Sequence, residues 1–300
     1  MMRILVTGAS GFVGSNIARA LCADGHEVFA TGTGGEQKVP PSATLFPSIA
    51  AIDWRKIGTL DALVHEAAIT DTSVHDRAEM LRVNVKTSKT LFEQARVHGV
   101  SRIVYASSTA VYGNLPGPLR EDGPTAPLNV YGESKVLLDE YAMTFAAAQP
   151  RIRVVGLRYC NVYGPGESHK GPMASMVYRL AGQMQKGNPR LFKWGEQARE
   201  YIYIDDVVRA NVLALKAGTS AYVHCATGAP RTFNDLVAIL NTALGTSRSP
   251  EYIDNPHPET YQSHIECDVS RAKEILGFEA AYDLESGVAA YLASGALTAA

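Results

Sequence analysis

A strand that runs straight into a glycine-spaced turn and then into a helix leaves a chain few folds to choose from. This sequence opens with one. Arg3 to Thr7 is a short, mostly apolar run of the kind buried on both faces of a parallel sheet. Gly8-Ala9-Ser10-Gly11-Phe12-Val13-Gly14 follows at once, and the apolar spacing from Ile17 to Leu21 predicts a helix behind it. Glycines at that spacing let the backbone approach a pyrophosphate, which rests at the positive end of the helix. The three pieces predict the dinucleotide-binding start of a doubly wound parallel α/β sheet, with Gly8, Ser10, Gly11, Phe12, Val13 and Gly14 around the cofactor. A turn that serves structure alone is the other reading of the same glycines.

Three hundred residues suffice for one large domain or two modest ones. With 28 basic and 30 acidic residues the net charge is −2, and no basic stripe points to nucleic acid. Cys22, Cys160, Cys225 and Cys267 lack the spacing of metal ligands and read as reduced, buried thiols. The apolar run near the N-terminus is too short for a signal peptide or a membrane span, so a soluble, cytoplasmic chain without a membrane partner is expected.

Glu27 to Thr31 is the second strand. A site for NAD usually places an acid just after it, on the ribose 2′-OH. Here Thr31-Gly32-Thr33-Gly34 follows, with no acid until Glu36. Without that carboxylate nothing repels a 2′-phosphate. NADP is therefore expected, with Thr31 beside it and Lys38 as a phosphate partner, and NAD is the alternative. Ile49 to Ile52 reads as a strand ending at Asp53, a contact for the adenine end. Ala62 to His65 is the next strand, with Glu66, Ala67 and Ala68 at the C-terminal edge where ligands bind in such sheets. The helix expected around residues 78–98 carries Asn84, which either braces this loop or lies exposed. Arg102 to Ala106 leads into Ser107-Ser108-Thr109-Ala110-Val111-Tyr112-Gly113.

Tyr131 and Lys135 then stand four residues apart at the start of a long helix, on one face and within mutual reach. A free tyrosine has a pKa of about 10. A neighbouring ammonium favours the phenolate and is expected to pull that value down, giving a pair able to shuttle a hydroxyl proton while a cofactor takes the hydride. A solvated helix face has the same spacing. Further on, Asp205 and Asp206 read as the cap and first-turn acid of a helix rather than as metal ligands. Asp268 reads as another cap, and residues 293–300 as a frayed tail.

Taken in order, the glycine motif, the Ser107-Ser108…Val111-Tyr112-Gly113 segment and Tyr131-x-x-x-Lys135 resemble the short-chain dehydrogenase/reductase superfamily, in its extended branch of nucleotide-sugar epimerases and dehydratases. The organisation expected is a Rossmann-type domain over residues 1–165 and about 205–228, with a smaller C-terminal α/β substrate domain over 166–204 and 229–300. The family's Ser-x-x-Val-Tyr-Gly pattern selects Ser108, which would hold the substrate oxygen beside Tyr131. Sugar 4,6-dehydratases resembling this chain carry Asp-Glu after that serine. Thr109 and Ala110 stand here, which disfavours elimination of water. The family's version of Asn161-Val162 caps the nicotinamide and contacts the sugar through the asparagine.

The segment His169-Lys170-Gly171-Pro172-Met173-Ala174-Ser175 resembles the His-Lys-Gly-x-Met-Ala-Ser loop of the ADP-L-glycero-D-manno-heptose 6-epimerase family. There the lysine is proposed as a second acid/base opposite the tyrosine, and its match is Lys170, counted with the cofactor contacts as well. A loop lysine touching a phosphate is the alternative. Two bases suit an epimerisation by direct oxidation, because the substrate oxygen meets a different proton donor in each pose. The resemblance also places Arg199 on the diphosphate and Tyr261 near the sugar, with Phe192 and Lys193 as further substrate contacts. Three departures stand out. The family's acid and asparagine after the second strand are Thr31 and Gly32, a contact serine is Pro172, and a contact histidine is Arg179. The implied activity is inversion of C6 of an ADP-heptose-like nucleotide sugar with bound NADP. Another nucleotide-sugar 4-epimerase or reductase is the rival, and a catalytically silent NADP-binding regulator the reading from a different class. A homo-oligomer is expected by analogy.

Overall fold

The computed structural model describes residues 1–34, 38–71, 76–256 and 261–297. Glu36, the first acid after the second strand, lies outside them. The chain begins β1 (Arg3–Thr7), α1 (Phe12–Ala23), β2 (Glu27–Thr31), β3 (Thr44–Phe46), α2 (Trp54–Ile57) and β4 (Ala62–His65). It continues through α3 (Arg77–Leu81), a π-helical turn (Arg82–Thr87), α4 (Ser88–Val97), β5 (Arg102–Ser108), α5 (Val130–Ala148) and β6 (Arg153–Tyr159). The C-terminal part adds β7 (Asn161–Tyr163), α6 (Met176–Lys186), β8 (Arg190–Phe192), β9 (Ala198–Arg199), β10 (Tyr201–Tyr203), α7 (Ile204–Ala214) and β11 (Ala221–Cys225). It closes with β12 (Arg231–Thr232), α8 (Phe233–Leu244), β13 (Glu251–Ile253), α9 (Ser270–Leu276) and α10 (Leu284–Ala293).

Seven strands form one parallel sheet in the order β11-β6-β5-β4-β1-β2-β3. Alternate residues of β1 explain the double winding. Ile4 and Val6 join the core that also holds Ile17 and Leu21 of α1 and Val207 of α7. Leu5 joins the opposite core with Phe92 of α4 and Leu138 and Phe145 of α5. The strand order reverses between β1 and β4, which opens a crevice at their C-terminal ends. Three two-stranded sheets, β7 with β10, β8 with β13 and β9 with β12, lie outside the main sheet.

Four local expectations give way to the structure. Ile49 to Ala51 is a 3₁₀ turn, and the strand at this edge is β3, upstream. Ser48 accepts from Ala51 N, and Asp53 Oδ1 accepts from Arg55 N and Lys56 N, so two caps turn the apolar run into helix. The helix expected over 78–98 is broken at its centre by the π-helical turn that carries Asn84. Asp205 does not cap α7, whose N-cap is Tyr203, though both it and Asp206 lie in the first turn. The buried carboxylate of Asp206 accepts from Ala281 N and Tyr282 N and fastens the C-terminal segment. The tail is not wholly frayed: Leu297 is fully buried, and its carbonyl accepts from Gln185 Nε2 at 3.4 Å. The four cysteines are free thiols, three of them buried.

Candidate active site

The glycine turn is a cradle that side chains would fill. A Cβ on Gly14 would stand 2.3 Å from Gly8 O, and Gly8 itself adopts φ +69° with its backbone against Glu66 and Ala67. Gly11 N donates to Gly8 O at 2.9 Å, and Ala9 N to Thr31 O at 2.7 Å, which stitches the turn to β2. Ser10 Oγ accepts from Gly34 N. Gly11 caps α1 without a side chain, and no acid lies in its first turn around Phe12 and Val13, so the positive helix end is left for an anion. These features fit the pyrophosphate of a dinucleotide.

Beyond β2, Thr31 is buried, and Lys38 is held below the usual lysine range by burial. Lys38 stands close enough to His169 to join burial in lowering that imidazole. The loop after β2 and the loop after β7 therefore face each other, a meeting that no local pattern announces. Asp53 spends its Oδ1 on capping α2.

The edge of β4 is built from paired polar groups. His65 is bracketed by Thr7 Oγ1 and Ser88 Oγ, each at 2.7 Å, and burial, with Lys135 nearby, pushes its pKa down to about 3. Glu66 Oε1 accepts from Tyr159 Oη at 2.9 Å. Asn84 is buried and braces the loop: Oδ1 accepts from Ile69 N at 2.8 Å, and Nδ2 donates to Ile69 O and to Ser134 Oγ. Its amide groups are thus spent on protein, which makes it a strut between Ile69 and α5.

Ser108, Tyr131 and Lys135 meet at the ends of β5 and α5. Asn129 caps α5 by accepting from Gly132 N, which starts the helix one residue before Tyr131. Lys135 is 2% exposed, donates from Nζ to Ala106 O at 2.8 Å, and has that nitrogen 5.6 Å from the centre of the Tyr131 ring. Burial lowers its pKa to about 8, against the pull of Glu66 and Asp139. Ser108 Oγ accepts from Ala110 N and bonds the Tyr131 hydroxyl. The electrostatics of the tyrosine reverse the expectation. Burial raises the Tyr131 pKa, the bond to Ser108 opposes it and Glu66 adds to it, so the value lies above that of a free tyrosine. The cost of a phenolate in the cleft wall outweighs an ammonium already directed at the Ala106 carbonyl.

Behind the lysine, one turn further along α5, Asp139 accepts from Arg158 Nε and Tyr105 Oη, each at 2.9 Å, and the ion pair is almost wholly buried. The spacing Tyr131, Lys135, Asp139 is the one sequence signal that could have pointed to it. Asp139→Ala would leave the Arg158 charge buried and unpaired. We expect a loss of about 3–5 kcal/mol in folding free energy, read from chemical denaturation, against a smaller loss for Asp139→Asn.

On the far side of the cleft, Asn161 Nδ2 donates to Glu200 O, and Val162 pairs with Ile202 between β7 and β10. Glu167 is fully buried and ties the next loop together, accepting from Gly164 N and from both Ser175 N and Oγ. Asn16 Nδ2 donates to Pro165 O and fastens the loop to α1. Lys170 follows, with its ammonium 5.5 Å from the centre of the Phe12 ring and its pKa lowered by burial against the pull of Glu167. It is not turned into bulk water.

A cavity of ≈ 630 Å³ adjoins this loop, with Met176, Arg179, Gln183, Phe192, Phe233 and Tyr261 in its wall. The sequence pointed to Arg179, Phe192 and Tyr261 but not to the other three, since α6 and α8 meet only in the fold. Arg199 is buried beside it, donating to Ala198 O and Gln262 O, with its guanidinium 4.9 Å from the Tyr261 ring centre and 5.8 Å from that of Phe233. No carboxylate pairs with it among the described residues, so a positive charge lies unneutralised beside the cavity. Ser108, Asn161, Pro172, Lys193 and Arg199 are not in the wall; of these, Lys193 pairs with Asp254 at 2.9 Å, and Pro172 is exposed on a 3₁₀ turn. No cluster of metal-ligating side chains occurs among the described residues, and no helix among them is long and apolar enough to cross a membrane.

Known proteins resemble this chain over nearly its whole length. An ADP-L-glycero-D-manno-heptose-6-epimerase from Alkalilimnicola ehrlichii is 34% identical, with 96% of each chain covered. The crystal structure of the Helicobacter pylori ADP-L-glycero-D-manno-heptose-6-epimerase superposes with a TM-score of 0.90 at 33% identity, covering 100% of this chain and 97% of that one. The Thermotoga maritima UDP-glucose 4-epimerase, solved with UDP-glucose, also gives 0.90, at 29% identity and with 100% of both chains covered. The NAD dependent epimerase/dehydratase family matches residues 4–225, across the glycine cradle, Ser108, Tyr131 and Lys135. This chain belongs to the NAD dependent epimerase/dehydratase family.

Proposed function

We propose that this protein is a nucleotide-sugar epimerase that inverts C6 of an ADP-heptose-like substrate with no net oxidation or reduction. The observation that carries the reading is the meeting of Ser108, Tyr131 and Lys135 at the sheet edge, in a chain that also has an unneutralised Arg199 beside a cavity. A dinucleotide held by the glycine cradle from Gly8 to Gly14 would supply reversible hydride chemistry at the carbinol carbon. The protein's share is binding and proton movement. Ser108 Oγ holds the substrate oxygen, Tyr131 Oη takes and returns its proton in one pose, and Lys135 supports the phenolate and holds the nicotinamide ribose. Lys170 is the second acid/base, serving the oxygen after the sugar has turned. Its place over Phe12, beside the pyrophosphate cradle, suits a diphosphate contact as well. Arg199 meets the substrate diphosphate, and Tyr261 and Phe192 wall the cavity beside it.

NADP is the cofactor we assign, because no acid follows β2 at Thr31 and Gly32 and because Lys38 faces His169 across the cleft. We further assign a cytoplasmic homo-oligomer, to be checked by light scattering. Pro172 and Arg179 depart from the resembling family at two substrate contacts, so the departures bear on which nucleotide heptose fits rather than on the reaction.

Incubation with ADP-D-glycero-D-manno-heptose, followed by NMR, should give the C6 epimer with the amounts of oxidised and of reduced cofactor each unchanged. Stoichiometric loss of NADPH would identify a reductase. Turnover of a UDP-hexose instead would identify a 4-epimerase. Bound cofactor without turnover of any nucleotide sugar would leave a silent binding protein.

A further inference from the structure

Glu66 has no part in the proton transfers above, yet it stands in the crevice where the strand order reverses. Its backbone and that of Ala67 press on Gly8, where an added Cβ would come within 2.8 Å of Ala67 N and 2.9 Å of Glu66 C. The carboxyl is held by a chain of donors: Asn211 Nδ2 gives to Val207 O and to Tyr159 Oη, and Tyr159 Oη gives to Glu66 Oε1. Its other oxygen has no protein donor among the described residues, and the side chain is half-buried, open to the cleft. The titratable groups around it are Lys135 and Tyr131 of α5, Tyr159 of β6 and Cys225 of β11, with the neutral His65 next to it in the chain. Lys135 is the sole cation of that set. Its ammonium is bonded to Ala106 O, and no ion pair to Glu66 forms among the described residues.

We infer that Glu66 takes up one proton when the dinucleotide binds, so that the cofactor is held by the carboxylic acid and repelled by the carboxylate. The inference rests on the dinucleotide reading of the glycine cradle. A diphosphate brings two negative charges to the turn against which Glu66 is pressed, and an ionised carboxylate there adds a third. Protonated, the same group offers an O–H from Oε2 to the cleft while Oε1 keeps its bond to Tyr159. One O–H bond forms with a solvent proton, and no other covalent bond changes. Burial already raises this carboxyl to about 7, against the bond from Tyr159 and the charge of Lys135, so the proton is exchanged close to neutrality. The sign follows from linkage: raising the pH through the folded pKa removes the proton that the complex needs, and affinity falls by up to about tenfold per pH unit above it.

Calorimetric titration of the full chain with NADH and with NADPH, between pH 6 and 8.5 and in buffers of different ionisation enthalpy, tests this. Both nucleotides are needed because a 2′-phosphate itself titrates near pH 6. Wild type should take up part of a proton per nucleotide near pH 7.5 and bind NADH more weakly as the pH rises. Glu66→Gln, which keeps an acceptor for Tyr159, should bind without that uptake and with a nearly flat profile, separating Glu66 from the titration of Lys135. Tyr159→Phe removes a donor that favours the ionised form and should move the inflection to higher pH. A flat wild-type profile without proton uptake, or Glu66→Gln and Tyr159→Phe profiles that coincide with wild type, overturns the inference while leaving the cofactor reading intact. Failure of every folded variant and of wild type to bind either nucleotide at any pH overturns both.

Discussion

Replacing Tyr131 by Phe should lower turnover by about 10²–10⁴-fold while leaving dinucleotide affinity within a few-fold of wild type. The change removes one oxygen from a half-buried ring whose hydroxyl bonds Ser108, and it takes nothing from the glycine cradle. In the protein alone burial keeps the phenol protonated, so the hydroxyl must be helped to release its proton when the substrate oxygen needs a base. The ammonium of Lys135, 5.6 Å from the ring centre, is the cation placed to do so. Its pKa near 8 sets the alkaline limit. As the pH rises through 8 the ammonium is lost, and kcat/KM of the free enzyme should fall. Stability should move the other way. The folded pKa lies below the lysine value of 10.5, so between 8 and 10.5 the unfolded chain binds more protons, and this residue's contribution to stability grows with pH in that window. Lys135→Met should remove the alkaline limb of activity together with its share of the stability slope. Unchanged turnover in Tyr131→Phe would remove the tyrosine from the chemistry.

Lys170→Met is expected to reduce epimerisation by about 10²-fold or more, with an asymmetry that a phosphate-contacting lysine would not give. If Tyr131 serves one pose and Lys170 the other, the variant still oxidises the epimer served by the tyrosine. Mixing it with that epimer should then produce the absorbance of reduced nicotinamide at nearly the wild-type rate, and the opposite epimer should not. The phosphate role gives a different pattern: the cofactor or the nucleotide sugar binds more weakly, and both epimers are affected alike. Met retains the aliphatic stem over Phe12, so the loop tied by Glu167 to Gly164 and Ser175 should keep its shape. Equal slowing of both epimers, with weaker binding and no change in kcat, would assign Lys170 to the diphosphate alone.

Much of this protein was legible before any coordinates, because it is written in local spacing. A strand, a glycine turn and a helix occupy adjacent residues, so β1, the cradle and α1 follow from the order of the chain. Tyr131 and Lys135 are one helical turn apart, and the geometry of a helix alone puts them on one face. Alternate apolar residues in β1 fixed two cores and hence helices on both faces of the sheet. The expected strand at Ile49–Ile52 failed for a local reason too, since Ser48 and Asp53 had cap chemistry that outweighed the apolar run.

What only the tertiary structure decided involves residues far apart in the chain. Glu66 meets Tyr159 across 93 positions of sequence and Tyr159 meets Asn211 across 52, Asn84 braces a loop and a second helix at once, and the cavity beside Arg199 is walled by helices and strands that touch only when packed. The ionisation of Tyr131 belongs to the same class. Spacing placed a cation near it, but whether burial or that cation prevails depends on how much protein closes around the ring, and no pattern of neighbours along the chain encodes a solvent boundary.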